Sequence, residues 1–269
     1  MRIALLQDTA VPLDIDHNLG LISDAAQRAR AAGAELLVTP ELFATGYAPA
    51  LIRASVTPEA VLDARERLTT IAREAGIALV HSLPGDGPAE ARPIQGILVS
   101  PDGETLAVHT KIHLFGPEEK AAFVPGEDAP PVAELSGLTL GLVVCYDVEF
   151  PETVRELARR GADVVLVPTA LAGGFAGVTG TLIPARALEN QLTVAYTNHA
   201  GIEDGLLFDG ASVVAGPDGV VLASAGAGPE LLIAEVGPAQ GGRSPEEAPE
   251  GPWYLRDRRP ELYRRWADH

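Results

Sequence analysis

The sequence predicts an α/β fold built in four layers, α-β-β-α, with two mixed sheets face to face and helices outside. Three observations carry that expectation. Short apolar, β-branched runs alternate with helical stretches along most of the chain. Two Pro-Asp-Gly turns, at 101–103 and 217–219, join pairs of such runs into hairpins. The chain also echoes itself: RARAAGAELLVTPEL (28–42) resembles LARRGADVVLVPTAL (157–171), and GILVSPDGETLA (96–107) resembles SVVAGPDGVVLA (212–223). Repeated helix–Gly–strand–Pro and strand–turn–strand units imply two similar halves packed together. Strands that are apolar throughout need cover on both faces, which two facing sheets with outer helices provide.

The elements follow in order. Residues 3–6 form a first strand ending at Gln7-Asp8, and 16–32 have amphipathic spacing closed by Gly33. A strand at 36–38 breaks at Pro40, and a helix at 58–75 stops at Gly76. Strand 77–83 precedes the first hairpin, whose second arm runs to Lys111 with His109 and His113 on either side. Residues 114–126, with Glu118 and Glu119 among Gly and Pro, read as a loop. A strand at 140–144 stops at Cys145-Tyr146-Asp147, and Pro151 opens a helix closed by Gly161. A further strand runs into a Gly-rich loop at 170–182 that lacks the spacing of a nucleotide-binding turn. Helix 184–191, strand 193–198, the second hairpin and a last strand, LLIAEV, complete the fold. Residues 237–252 read as a mobile polar linker, and 253–269 as a tail that docks on its own or a partner subunit. Nothing marks a domain boundary, so residues 1–269 are expected to form a single domain.

Composition narrows the function. Apolar residues make up 46% and charged ones 21%, as in ordinary globular enzymes. A formal charge of −17 opposes binding to nucleic acid or to an anionic membrane. One cysteine allows no internal disulfide, and no apolar run has the length of a signal peptide or a membrane span. The expected setting is a reducing one, the cytoplasm.

Three polar residues stand where strands end, and in open α/β folds ligands bind there. Glu41 follows the break at Pro40; a surface carboxylate is the plain alternative. Lys111 arrives on the second hairpin arm, where a solvated edge lysine is the alternative. His109 and His113, on the same strand face, suggest a metal pair, but an ammonium between two ligands repels a cation. Cys145 lies just past an apolar run, where a small core residue is common. A nearby helix N-terminus and free backbone N–H groups can instead lower a thiol's pKa. If the three meet, carboxylate, ammonium and thiol are the parts of an acyl-transfer site. Tyr47 either lines that site or packs as an ordinary aromatic.

The motifs VTPELFATGY (38–47), KIHLFGPEEKAAFVPG (111–126) and GLVVCYDVEFPE (141–152), followed by ARALENQ (185–191) and YLRDRRPELYRR (254–265), resemble the nitrilase superfamily of carbon–nitrogen hydrolases, in its order and along essentially the whole chain. The resemblance implies the four-layer sandwich, a Glu41–Lys111–Cys145 triad, and a second carboxylate, Glu119, that positions substrate and orients the attacking water. It implies an oxyanion contact from the backbone N–H of Tyr146, a need for neither metal nor cofactor, and a homodimer or higher homo-oligomer with the tail reaching the partner. Tyr146-Asp147 after the cysteine, in place of Trp-Glu, points to a small-molecule amide as substrate rather than a nitrile or a ureido (N-carbamoyl) acid. Ile94-Gln95 and Thr110 depart from the Tyr-Asn and Arg of many relatives. A non-catalytic scaffold and a redox-sensing thiol protein are the competing classes; the latter leaves Glu41 and Lys111 without a role.

Overall fold

The structure, a computed structural model, describes residues 1–240 and 253–267. The chain opens with strand β1 (Arg2–Gln7), helix α1 (Ile15–Ala31) and strand β2 (Leu36–Val38). Helices α2 (Pro49–Ser55) and α3 (Pro58–Ala75) precede β3 (Ala78–Pro84) and the hairpin of β4 (Ile94–Val99) and β5 (Thr105–Thr110). Then come helix α4 (Gly116–Ala122), strands β6 (Val132–Leu135) and β7 (Leu138–Leu142), helix α5 (Pro151–Arg159) and strand β8 (Val164–Pro168). Helix α6 (Ile183–Asn190) leads to β9 (Thr193–Thr197), a small hairpin of β10 (Ala200–Glu203) and β11 (Leu206–Asp209), and the hairpin of β12 (Val213–Ala215) and β13 (Val221–Ser224). Strand β14 (Glu230–Glu235) and helix α7 (Pro260–Ala267) end the described chain.

Local chemistry sets the boundaries. Asp14 caps α1 by accepting from the His17 N–H, and Thr57 caps α3 from Ala60 with Pro58 in its first turn. Gly76 closes α3 at φ +62°, a conformation that suits glycine.

Two six-stranded sheets result, ordered β14-β1-β2-β3-β4-β5 and β13-β12-β9-β8-β7-β6. In each, three parallel strands carry antiparallel neighbours on both sides, so β6-β7-β8-β9-β12-β13 repeats β14-β1-β2-β3-β4-β5. The internal echo of the sequence is this repeated topology. Alternate side chains explain the layers. Ile3, Leu5, Leu36 and Val38 pack against Leu140, Leu142, Val164 and Leu166 between the sheets. Ala4, Leu6, Leu37 and Leu79 face α1 and α3, while Val165, Val167 and Val194 face α5 and α6. The expected α-β-β-α sandwich is what forms. The sequence reading passed over α2, β6 and the β10–β11 hairpin. It also took α4 for a loop, because Gly116 and Pro117 look like breakers, whereas proline in a first turn starts a helix. Most of the 237–252 stretch read as a linker lies outside the described residues.

His81, on β3, is buried with no hydrogen-bond partner for either ring nitrogen among the described residues. Burial pushes its pKa down to about 3, and Arg65 adds to the effect. Between about pH 6.5 and pH 3 the unfolded imidazole is protonated and the native one is not. The stability that the neutral native form contributes is complete above that window and is lost as the pH falls through it. By pH 5 the loss reaches about 2 kcal/mol. His81→Leu is expected to flatten this acid limb, measured as urea midpoints at pH 8 and pH 5. Equal pH dependence in both proteins would refute it.

Candidate active site

Cys145 is delivered by Val143 and Val144, which continue from β7. Val143 donates to the Leu166 carbonyl, and Val144 lies against Gly96 of β4. A Cβ at Gly96 would fall 2.9 Å from a Val144 methyl, so this close approach requires glycine. At Cys145 the backbone turns to φ +49°, a left-handed conformation that a non-glycine residue adopts only at some cost, of order 1–3 kcal/mol. The residue opens a short 3-10 turn, Cys145–Glu149, that leads to Pro151 and α5. At the start of such a turn the N–H of Tyr146 has no acceptor within the turn. Cys145 is 6% exposed.

Glu41 stands past the end of β2, and its N–H donates to the carbonyl of Thr169, past the end of β8. The two echoed strand ends, one from each sheet, therefore meet at the site. Lys111 is the first residue beyond β5, held by a hydrogen bond from its N–H to Ile94 and one from Gly126 to its carbonyl. The strand thus stops before the His109–His113 stretch is complete, and Lys111 parts company with the two histidines. Its ammonium donates to Glu41 Oε1 at 2.7 Å and to both oxygens of Glu119 at 2.8 Å. Helix α4 carries Glu119 into place, where it also accepts from the Tyr47 hydroxyl at 2.6 Å and from the Phe115 N–H at 2.8 Å. Glu41, Lys111 and Glu119 are essentially inaccessible to solvent. The structure thus brings Glu41, Lys111, Glu119, Cys145 and Tyr47 together, with Tyr146 next to the thiol.

Burial dominates the electrostatics. It raises the Glu41 carboxyl to about 7, against the opposing pull of Lys111. Burial alone would lower Lys111, but the charges of Glu41, Cys145 and Glu119 outweigh it and hold the ammonium protonated. Burial, then the Glu41 carboxylate, push the Cys145 thiol up. The turn at its N-terminal end does not lower that thiol, contrary to the sequence expectation, because desolvation and two carboxylates outweigh a few backbone dipoles. Glu41 Oε2 is buried without a well-formed hydrogen bond, although the thiol is near enough to lower the pKa of that carboxyl. A thiol with a high pKa beside a carboxylate near 7 keeps its proton until attack begins. Burial and the neighbouring carboxylates raise Tyr47 as well, so it stays a phenol and donates to Glu119.

Asp147 joins the lysine and cysteine segments. It accepts from the backbone N–H groups of Ile112 and His113, and bonds His109 Nε2 and His113 Nδ1 at 2.8 Å each. Burial opposes its charge, but the two histidines win and hold its pKa far below the usual carboxylate range. Both histidines are therefore tied to a carboxylate, which gives them a structural use in place of the metal reading. His113 also stacks on Phe150 at 3.8 Å. The sequence reading had used Asp147 only as a branch marker, and Thr169, whose side chain lies against the thiol, not at all.

Two clefts border the site. One of about 190 Å³ is lined by Tyr47, Pro49, Glu118, Asp204, Gly205 and Leu206. The other, about 560 Å³, is walled by apolar groups that include Tyr146, Phe150, Phe123 and Leu114.

The carbon-nitrogen hydrolase family profile matches residues 2–245. The chain belongs to that family. This carbon–nitrogen hydrolase superposes on an amidase from Nesterenkonia sp. AN1 with a TM-score of 0.91 at 55% identity, over 99% of each chain. In that structure, a glutamate-to-glutamine variant, acrylamide has added to the active-site cysteine by Michael addition. The hydrolase is also 35% identical to an (R)-stereoselective amidase of Pseudomonas sp., over 84% of this chain and 81% of that one. A nitrilase of Pyrococcus abyssi is 32% identical over 84% of this chain and 85% of its own.

Proposed function

We propose that this hydrolase is an amidase that converts a small carboxamide to a carboxylic acid and ammonia through a thioester on Cys145. The observation that carries the reading is the buried Glu41–Lys111–Glu119 array set beside a thiol, in a chain whose relatives include amidases. Glu41 takes the thiol proton as sulfur attacks the amide carbon. The resulting oxyanion is held by the Lys111 ammonium, which can release one of its two contacts to Glu119, and by the Tyr146 N–H. Collapse breaks the carbon–nitrogen bond, and Glu41 returns its proton to the departing nitrogen. Glu41 then deprotonates a water that Glu119 helps to orient, and hydroxide displaces the thiolate, which recovers the proton. Tyr47, bonded to Glu119, borders the substrate.

The same reading takes residues 1–269 as one hydrolase domain working in the cytoplasm as a homodimer or higher homo-oligomer. A single free, buried cysteine supports the reducing compartment. No helix among the described residues is long and apolar enough to cross a membrane. In the tail, Leu255 packs on the cluster around sheet β13-β12-β9-β8-β7-β6, while Trp266, 66% exposed, is offered outward as a surface for a partner subunit.

The test is ammonia release from short aliphatic amides, ω-amides, ureido acids and matching nitriles, with Cys145→Ala as control. Release from amides, lost in the control, is expected. Its kcat/KM should rise with pH through an apparent pKa near 7, because Glu41 must be ionised to act as base. Release from nitriles or ureido acids alone would move the enzyme to another branch of the same chemistry. No release from any class, with Cys145 inert to iodoacetamide, would defeat the enzyme reading.

A further inference from the structure

Behind the array lies a second buried pair that the cycle above does not use. His199, between β9 and β10, and Glu203, at the end of β10, are inaccessible to solvent and joined at 2.7 Å between Nδ1 and Oε1. Glu203 Oε1 also accepts from the Ala10 N–H at 2.8 Å, and Oε2 from the Tyr47 N–H at 3.0 Å. The other ring nitrogen of His199 meets the carbonyl oxygen of Glu41 at 2.7 Å. Both oxygens of Glu203 thus receive backbone N–H donors, as an ionised carboxylate does, and a carbonyl only accepts. An acceptor on each side of the ring requires a hydrogen on each nitrogen.

We infer that His199 is a permanently charged imidazolium, and that the His199–Glu203 pair is a positioning device for the catalytic array. Its two ends grip the main chain of Glu41, the base, and of Tyr47, whose hydroxyl holds Glu119. The charged groups facing the ring are Glu203 from β10 and Glu41 from the end of β2; its other neighbours are the rings of Phe43, Tyr47 and Phe208. Burial disfavours the cation, but Glu203 and the Glu41 carbonyl outweigh it, consistent with the double protonation the hydrogen bonds demand. The Glu41 carboxylate must be placed to within a few tenths of an ångström for proton transfer from the Cys145 thiol, so a small drift of the Glu41 backbone falls on the chemical step.

This inference rests on the amidase reading for its kinetic arm only. In nitrogen-15 spectra of histidine-labelled wild-type protein, the signal missing from His199→Gln should show an imidazolium with both nitrogens protonated from pH 6 to pH 9. A neutral ring in that range would overturn the inference, whether or not the protein turns over amides. In the kinetic arm, His199→Gln and Glu203→Gln should each lower kcat by roughly 10- to 100-fold, beyond any change in KM. Loss of the cation should also move the acid limb of kcat/KM to higher pH in His199→Gln. Folded variants with wild-type kcat and an unmoved acid limb would overturn it. If both variants unfold, the wild-type spectrum decides, its His199 signals assigned by through-space contacts of the ring to Phe43 and Phe208.

Discussion

Glu41→Gln is expected to stop turnover while leaving a folded protein whose cysteine still reacts. Glutamine matches the size of glutamate and can still accept from Lys111, so the buried array keeps its shape. What disappears is the group that, in the proposed cycle, takes the thiol proton, returns it to ammonia and then activates water. General-base catalysis of one step contributes roughly 10²- to 10⁴-fold. Because the proposed cycle uses this residue in both half-reactions, the loss should lie near the upper end. The adduct on the cysteine of the corresponding Nesterenkonia variant shows that capture of an electrophile does not require that glutamate. Two measurements together make the test: ammonia release, and the mass of the protein after exposure to acrylamide. Turnover above a tenth of wild type, or a cysteine that no longer takes the adduct in a folded protein, would contradict the assignment.

Lys111→Met should cost both activity and stability. The ammonium bridges two carboxylates that have no other cation within hydrogen-bond reach among the described residues. Methionine fills the volume but leaves Glu41 and Glu119 facing each other unpaired. Removing one partner of a buried ion pair typically costs about 3–5 kcal/mol. In the variant a carboxylate of the pair must hold a proton, which raises its native pKa further above its unfolded value. Its native state then binds more protons than its unfolded state, so stability should be greatest in acid and fall as the pH rises through neutrality. Urea midpoints at pH 5.5 and pH 8 test this. Wild type, whose Glu41 carboxyl already sits near 7, should show a shallower decline over the same range. A variant whose decline from pH 5.5 to pH 8 is no steeper than that of wild type would show that the carboxylates are not coupled through Lys111.

What the sequence made legible follows the range of the interactions involved. Glu41 and Cys145 could be found because an apolar run that stops abruptly is a local signal, and strand ends are where α/β folds place their chemistry. The repeated topology was visible because both copies retain their helix–Gly–strand–Pro spacing. Glu119 was reached only through family resemblance, since its helix begins with Gly116-Pro117 and looks locally like a loop. Asp147 and the His199–Glu203 pair were out of reach. Asp147 acts on residues 34 to 38 positions away, and His199 on a carbonyl 158 positions away. No periodicity encodes such pairings; they exist only once the two sheets have closed on each other. The short β10–β11 hairpin was missed for a related reason: exposed Ile202, Leu206 and Leu207 give it no inside–outside alternation to read.

Strand β14 has a consequence for synthesis. It pairs along its whole length with β1, so Arg2 waits for Glu235, 233 positions further along the chain. The sheet from β6 to β13 is contiguous in sequence and can assemble as it leaves the ribosome; the other sheet cannot. Until β14 arrives, β1 presents an unpaired apolar edge, the kind that recruits other chains. Strand β1 therefore needs shelter on the growing polypeptide until β14 has been made, and a ribosome stalled before residue 230 would release a product prone to aggregate.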